Sequence, residues 1–287
     1  MTIEKVSVFG AGTMGHGIAQ VCAQAGMDVC LYDLKWDWVD GGLKRIQSNL
    51  DKGIARGKVT EEQRTETLSR LTGTIDLDEA ADDADLLIEA IPEQLSLKHQ
   101  LFSAIEPHAK SEAIYASNTS SISIGEIASV LKDPTRVIGT HFFNPVHIMK
   151  LLELICHSST APEVLETIKG FGARIGKECI VVRDIPGFAT SRLGVALGME
   201  AIRMFEQGVA SAEDIDKAMV LGYRHPVGPL KLSDMVGLDV RMNIGQYLAQ
   251  QLNNPAFEPP ELMKQMVSEG KLGKKSGEGF YVWPPQS

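Results

Sequence analysis

The chain has 287 residues, enough for one large domain or two of ordinary size. Hydrophobic residues make up 44% of the chain and charged residues 23%, which is ordinary for a soluble globular protein. The net charge of −9 argues against a nucleic-acid-binding protein, which normally presents a basic face, although a few local lysines can still hold an anionic ligand.

The four cysteines, Cys22, Cys30, Cys156 and Cys179, lie far apart in apolar stretches and form no C-x-x-C pair. We therefore expect reduced, buried thiols in a reducing compartment and no metal site. The sequence enters a predicted strand within its first residues, and no apolar run approaches the ~20 residues of a membrane span. These features predict a cytoplasmic protein without a targeting or membrane segment.

Strands and helices are predicted to alternate over residues 1–183. In chain order they are a strand at 3–9, a helix at 13–25, a strand at 27–33, a polar helical region from about 38 to 70 with breaks at Gly53 and Gly57, a strand at 83–91, a helix at 95–109, β-rich runs at 112–118, 136–142 and 150–155, a helix from Pro162, and a strand at 178–184. This alternation is typical of an α/β fold with helices on both faces of a doubly wound, mostly parallel sheet.

The pattern changes after the segment RDIPGF, and residues 184–287 are predicted to form a second, all-α domain. Its helices are expected at 187–208, 211–222, 232–252 and 259–270, with strand character only in the last few residues. These helices carry much apolar surface for so few residues, so a subunit interface is expected there.

A glycine-rich turn follows the first strand. Gly10, Gly12 and Gly15 have G-x-G-x-x-G spacing between a strand and a helix, and the next strand ends in an acid, Asp33. This context predicts a Rossmann-type dinucleotide site in which the helix N-terminus faces the pyrophosphate. Asp33 should accept the ribose hydroxyls and repel a 2′-phosphate, which favours NAD, although Lys35 could soften that preference. The residues expected to line the cofactor are Gly10, Ala11, Gly12, Thr13, Met14 and Gly15.

Three polar residues lie where predicted strands end or run beside that crevice. Ser117 follows the run EAIYA and His141 follows RVIGT, so both are expected at the carboxyl edge of the sheet, where ligands bind. Glu153 lies on the next β-rich run and could point back toward His141. A lone histidine in apolar sequence is more often a core residue, but its place at a strand end favours a catalytic base.

Several segments, in order along nearly the whole chain, resemble the L-3-hydroxyacyl-CoA dehydrogenase family, and most closely its stand-alone 3-hydroxybutyryl-CoA dehydrogenase branch: FGAGTMGHGIAQ, SNTSSI, GTHFFNPVHIMKLLELI, IPGF, GYRHPVGPLKLSDMVGLD and GKKSGEGFY. The resemblance implies NAD as cofactor and reversible oxidation of an (S)-3-hydroxyacyl-CoA to the 3-ketoacyl-CoA. It also implies an acyl-CoA substrate, 3-hydroxybutyryl-CoA or acetoacetyl-CoA, and a C-terminal helical domain that completes the substrate site and forms a homodimer.

The same resemblance implies roles for individual residues. His141 matches the catalytic base, Glu153 its orienting carboxylate, and Ser117 a serine that hydrogen-bonds the reacting oxygen. The further positions that match residues beside NAD are Glu93, Lys98, Asn144 and Lys275. The alternative interpretation is a solvated surface charge for Glu93, Lys98 and Lys275, and an Asn-Pro turn for Asn144. One position departs from the family: GFATSR has Ser191 where an asparagine often helps to bind the substrate oxygen, so altered chain-length preference or rate is expected.

The CoA phosphates need cationic partners, and Lys52 is the favoured candidate on a polar helix that also carries Lys44, Arg45, Arg56 and Lys58. An ordinary charged helix face is the alternative interpretation.

Two other functions stay open at this point: a dehydrogenase of a free 3-hydroxy acid or sugar acid, and a non-catalytic NAD-binding protein. Fatty-acid metabolism is the expected setting, although other pathways would use the same reaction.

Overall fold

The computed structural model describes residues 2–284. Contacts divide the chain into two compact units, Met1–Asp184 and Ile185–Ser287. This division lies one residue beyond the boundary expected from the sequence. Among the described residues, no helix combines the length and apolar character that crossing a bilayer requires.

The first unit is built on one eight-stranded sheet with the order β3-β2-β1-β4-β5-β6-β7-β8. Its strands are β1 (Lys5–Phe9), β2 (Asp28–Tyr32), β3 (Leu71–Thr74), β4 (Leu86–Glu89), β5 (Ile114–Ser117), β6 (Val137–Phe142), β7 (Leu151–Cys156) and β8 (Glu178–Arg183). Neighbours from β3 to β6 are parallel, β6 and β7 are antiparallel, and β7 and β8 are parallel. The predicted mostly parallel, doubly wound sheet is confirmed.

Helices occupy the connections between these strands: α1 (Gly15–Gln24), α2 (Trp36–Ala55), α3 (Glu61–Ser69), α4 (Leu77–Ala81), α5 (Leu95–Ile105), α6 (Ile124–Ala128) and α7 (Pro162–Arg174). Every residue of the central strands β4, β5 and β6 is buried, which explains why these strands read as continuous rather than alternating apolar runs.

The sequence-based elements were wrong or incomplete at a few places in this unit. Gly53 lies inside α2, so the predicted break there is wrong, whereas Gly57 takes a positive φ just after the helix ends. The next helix begins at a capping box formed by Thr60 and Gln63. The short elements β3, α4 and α6 were not predicted.

The second unit contains α8 (Thr190–Glu206), α9 (Ala212–Gly222), α10 (Pro229–Val236), α11 (Leu238–Leu252) and α12 (Glu261–Ser268). Residues 232–252 form parts of two helices rather than the predicted single one, because Gly237 at their junction has φ +105°. Met199, Leu238 and Leu248 lie in its buried core. Near the end of the described chain, isolated bridges link Glu278 to Gly273 and to Val282.

Candidate active site

The glycine turn after β1 is closed by backbone contacts that leave no room for larger residues. Gly10 has φ +104°, and a Cβ there would lie 2.6 Å from the Ala90 carbonyl oxygen. A Cβ on Gly15 would lie 1.6 Å from the Gly10 carbonyl oxygen. At Gly12, in contrast, an added Cβ would have no atom within 4 Å. The turn therefore has no room for a side chain at Gly10 or Gly15. It is open at Gly12, where a pyrophosphate can approach the backbone and the N-terminus of α1.

Two charged side chains fix this turn. Asp33, directly after β2, accepts the Ala11 N–H at Oδ2 (2.8 Å) and the Leu34 N–H at Oδ1 (2.7 Å). Arg45 on α2 donates from Nη2 to the Ala11 carbonyl oxygen at 2.6 Å. The sequence places Arg45 only on the basic face of a predicted helix, and no local sequence pattern indicates that its side chain contacts the turn. Asp33 lies beside the turn, as expected of a carboxylate that receives the ribose hydroxyls of NAD.

A histidine and a glutamate face each other across the antiparallel pair of strands β6 and β7. His141 on β6 is directly opposite Glu153 on β7, so both side chains lie on the same face of the sheet. His141 Nδ1 and Glu153 Oε2 are 2.7 Å apart, and both residues are buried. When Nδ1 carries the proton of the neutral ring and donates a hydrogen bond to the carboxylate, Nε2 is the basic nitrogen. The arrangement can therefore accept a proton at Nε2 and stabilise the resulting imidazolium.

Ser117 ends β5, next to β4, and belongs to a buried polar cluster. Its Oγ donates to Glu89 Oε1 and accepts the Thr119 N–H at 3.2 Å. Glu89 also receives Lys98 Nζ at 2.6 Å. Burial raises the pKa of the Glu89 carboxyl, against the opposing effect of the Lys98 ammonium. The sequence analysis did not identify Glu89 as a site residue. The only signal for it in the sequence is a single acidic residue inside the apolar run LLIEAI.

Lys98 links this cluster to the loop after β5. Its Nζ lies 3.2 Å from Glu93 Oε2, while Glu93 Oε1 accepts the Thr119 hydroxyl at 2.6 Å and the Ser120 N–H at 2.9 Å. Burial acts to raise the pKa of Glu93, but Lys98 and the loop donors outweigh it and the pKa is lowered. Lys98 is 1% exposed and is therefore a buried charge rather than a solvated surface lysine. Direct contacts of Glu93 and Lys98 with NAD stay predictions.

The remaining predicted residues are distributed over both units. Asn144 is exposed in the connection between β6 and β7. In the helical unit, Ser191 is half-buried in the first turn of α8, and Lys275 Nζ lies 2.6 Å from Asp239. Their roles toward substrate and cofactor stay predictions.

A group of positive charges gathers near the connection between β6 and β7. The pKa of His147 is lowered, first by burial and then by the nearby His16, Lys177, Arg56 and Lys52. Lys52 lies in the last turn of α2. In residues 2–284, no three histidine, cysteine or acidic side chains gather as a metal site would require.

A phosphate cradle, an acidic residue beside it and a histidine–carboxylate pair on the same sheet are the parts of a nicotinamide-dependent dehydrogenase. Comparison with known proteins makes the class specific. Residues 5–185 match the family described as 3-hydroxyacyl-CoA dehydrogenase, NAD binding domain, and residues 187–283 match the corresponding C-terminal domain. The chain belongs to the 3-hydroxyacyl-CoA dehydrogenase family.

Relatives match over nearly their whole length. A 3-hydroxybutyryl-CoA dehydrogenase of Mycobacterium tuberculosis is 41% identical, with 98% of this chain and 99% of the relative covered. The mitochondrial hydroxyacyl-coenzyme A dehydrogenase of Sus scrofa is 40% identical, with 98% and 91% covered. The crystal structure of the (S)-3-hydroxybutyryl-CoA dehydrogenase of Ralstonia eutropha superposes with a TM-score of 0.96 at 39% identity, covering 99% of this chain and 100% of that one.

Proposed function

We propose that this protein catalyses the reversible NAD-dependent oxidation of a short-chain (S)-3-hydroxyacyl-CoA, with 3-hydroxybutyryl-CoA as the preferred substrate. The observation that carries the proposal is the 2.7 Å contact between His141 Nδ1 and Glu153 Oε2 on the sheet that holds the phosphate cradle. The full-length similarity to 3-hydroxybutyryl-CoA dehydrogenases supports the choice of substrate.

In the proposed mechanism, bound NAD supplies the hydride acceptor for C3 of the substrate. His141 Nε2 removes the proton of the 3-hydroxyl group as a general base, a contribution of ~10²–10⁴ in rate. Glu153 holds the tautomer with the proton on Nδ1 and stabilises the imidazolium. In the reverse direction, the imidazolium returns its Nε2 proton to the forming alkoxide. Glu153 is fully buried, so little solvent screens its interaction with the histidine.

The CoA part of the substrate is proposed to bind through the positive group that contains Lys52 and Arg56. Lys52→Ala should raise the KM for acetoacetyl-CoA with little change in kcat, and the effect should vanish with acetoacetyl-pantetheine, which lacks the nucleotide phosphates. Lys44 is a matched control on the same helix, because its ammonium already pairs with Asp40 at 2.6 Å. Equal effects of Lys52→Ala and Lys44→Ala would contradict the assignment.

A homodimer formed through the helical unit is also proposed. Leu193, Leu221 and Tyr223 in this unit are 71%, 77% and 75% exposed, and a subunit interface would bury apolar side chains of this kind. Light scattering coupled to gel filtration should give twice the mass of one chain, and a monomer would contradict the proposal. A cytoplasmic location and a role in fatty-acid metabolism stay predictions.

The direct test is NADH oxidation at 340 nm with acetoacetyl-CoA, beside free acetoacetate, a medium-chain 3-ketoacyl-CoA, and NADPH in place of NADH. Fast turnover of acetoacetyl-CoA with NADH is expected, and His141→Gln should lower it at least a hundredfold while NADH still binds. Faster turnover of acetoacetate would favour the free-acid dehydrogenase. NADH binding without turnover of any of these substrates would favour the non-catalytic alternative.

A further inference from the structure

The glycine turn presents amide groups to the solvent. Gly12 and Thr13 are exposed, and within residues 2–284 their N–H groups donate to no acceptor. Amides of this kind at the start of a helix bind phosphate groups when they point outward from the turn. In a planar trans peptide, the N–H of one residue points away from the C=O of the residue before it. The directions of two carbonyls, those of Ala11 and Gly12, therefore decide where these N–H groups point.

Arg45 fixes the first of these carbonyls. Its Nη2 donates to the Ala11 oxygen at 2.6 Å. Gly42, about one turn earlier on α2, lets the helix come close enough for this contact, since a Cβ at Gly42 would lie 3.0 Å from the same oxygen. The Ala11 N–H is held separately by the Asp33 carboxylate. Side chains therefore hold both peptide groups that meet at Ala11, and the Gly12 N–H points away from α2.

His16 fixes the second carbonyl. Its Nδ1 lies 2.7 Å from the Gly12 oxygen, and because a carbonyl oxygen can only accept, Nδ1 carries the proton. The backbone N–H of His16 also reaches this oxygen, at 3.3 Å. Burial lowers the pKa of His16, as does the Arg45 guanidinium, against the opposing effect of the hydrogen bond to Gly12. In neutral solution the ring is therefore an uncharged donor, and it directs the Thr13 N–H away from the body of α1.

We propose that Arg45 and His16 are positioning residues: by holding two carbonyls of the glycine turn, they make the amide groups that follow face the pyrophosphate of NAD. Those amide groups belong to Gly12 and Thr13. Neither side chain needs to touch the cofactor in this role. Arg45 is thereby assigned to the cofactor turn rather than to the cations that bind CoA. The inference rests on the NAD-dependent function and does not depend on the identity of the acyl substrate.

The test is titration of the free protein with three ligands that share the adenosine part. NADH and ADP-ribose both carry the pyrophosphate, and adenosine lacks it. His16→Ala and Arg45→Met should each weaken NADH and ADP-ribose about three- to tenfold, the range for one hydrogen bond, and adenosine by less than about twofold. Unchanged ADP-ribose affinity, or an equal loss for adenosine, would overturn the proposal.

A conservative variant separates positioning from a merely structural role of the histidine. The amide nitrogen of asparagine lies close to the place of a histidine Nδ1 and is also a donor. His16→Asn should therefore bind ADP-ribose within about twofold of the parent protein, whereas His16→Leu, which has no donor, should lose about three- to tenfold. Equal losses in His16→Asn and His16→Leu would remove His16 from this role.

Salt separates positioning by Arg45 from direct attraction between its charge and the cofactor. At about 0.5 M salt the Debye length is about 4 Å, so attraction between exposed charges is largely screened. The loss of ADP-ribose affinity in Arg45→Met should be similar at low and high salt, because the contact with the Ala11 carbonyl lies within the protein. A loss that disappears at high salt would show direct attraction and contradict the positioning role.

Matched controls remove the same kinds of contact at the other edge of the sheet. Arg136 Nε donates to the Ala113 carbonyl at 2.9 Å just before β5, and His157 Nε2 lies 2.9 Å from the Pro134 carbonyl just after β7. Arg136→Met and His157→Ala should keep NADH affinity within about twofold of the parent protein. Losses as large as those of the two turn variants would overturn the proposal. These titrations contain no acyl-CoA, so a failure of the proposed turnover and a failure of this inference are distinguishable.

Discussion

Replacing Glu153 by glutamine tests how much its negative charge contributes to catalysis. Glutamine keeps the volume and one hydrogen bond to the ring of His141, so the change is chiefly one of charge. The contact distance of 2.7 Å places the two charge centres ~4 Å apart, where a carboxylate and an imidazolium attract by about 4 kcal/mol at an effective dielectric constant of ~20. That energy corresponds to about a thousandfold in rate, and the retained hydrogen bond reduces the expected loss in kcat to about 10²–10³.

The assay is NADH oxidation with saturating acetoacetyl-CoA, together with NADH titration of the free protein. NADH affinity should stay within about twofold of the parent protein, because Glu153 lies on β7 and three strands separate β7 from β1, which leads into the glycine turn. Glu153→Asp keeps the charge but shortens the side chain, and it should retain more activity than Glu153→Gln. A loss in kcat below tenfold for Glu153→Gln would refute the charge argument, and equal losses for both variants would show that geometry alone matters.

The other predictions concern the cofactor turn and the strand beside it. Gly12→Ala should keep the parent Tm but weaken NADH binding, whereas Gly15→Ala should lower the Tm because its Cβ would meet the Gly10 carbonyl; equal Tm values would contradict this. Asp33→Ala should weaken NADH about tenfold or more and NADPH less, since a charged acceptor is lost, and an unchanged cofactor preference would contradict its role. Thr140→Val should raise the free energy of unfolding by about 1 kcal/mol, because the buried hydroxyl lacks a partner within residues 2–284, and a lower Tm in thermal unfolding would count against it.

The sheet and its histidine–glutamate pair could be predicted because their signals are local. The spacing of Gly10, Gly12 and Gly15 between a strand and a helix predicts the turn, and His141 and Glu153 each lie within a β-rich run. The two runs are close in sequence, so a pairing between neighbouring strands needs no long-range information.

The buried cluster around Glu89 could not be predicted in the same way. Lys98 resembles an ordinary helical surface lysine, and only the packing of α5 on the sheet buries it. The break between α10 and α11 was also missed, because the apolar period continues across Gly237 while the positive φ depends on the packing around it. Short elements such as β3, whose sequence LTGT contains a glycine, carry too little pattern to stand out.

The antiparallel pairing of β6 and β7 fixes the distance between the catalytic base and its carboxylate, and it leaves the surface of the connecting loop free to change. The facing positions of His141 and Glu153 are set by strand register, and residues 143–150 join the two strands. Most of that connection is exposed, including Ile148 and Met149. Substitutions at exposed positions such as Ile148 and Met149 can reshape the surface around the site while the base and its carboxylate keep their distance. The hairpin thus acts as a fixed chemical unit with an adjustable loop, and this loop is the first place to vary in a search for altered substrate range.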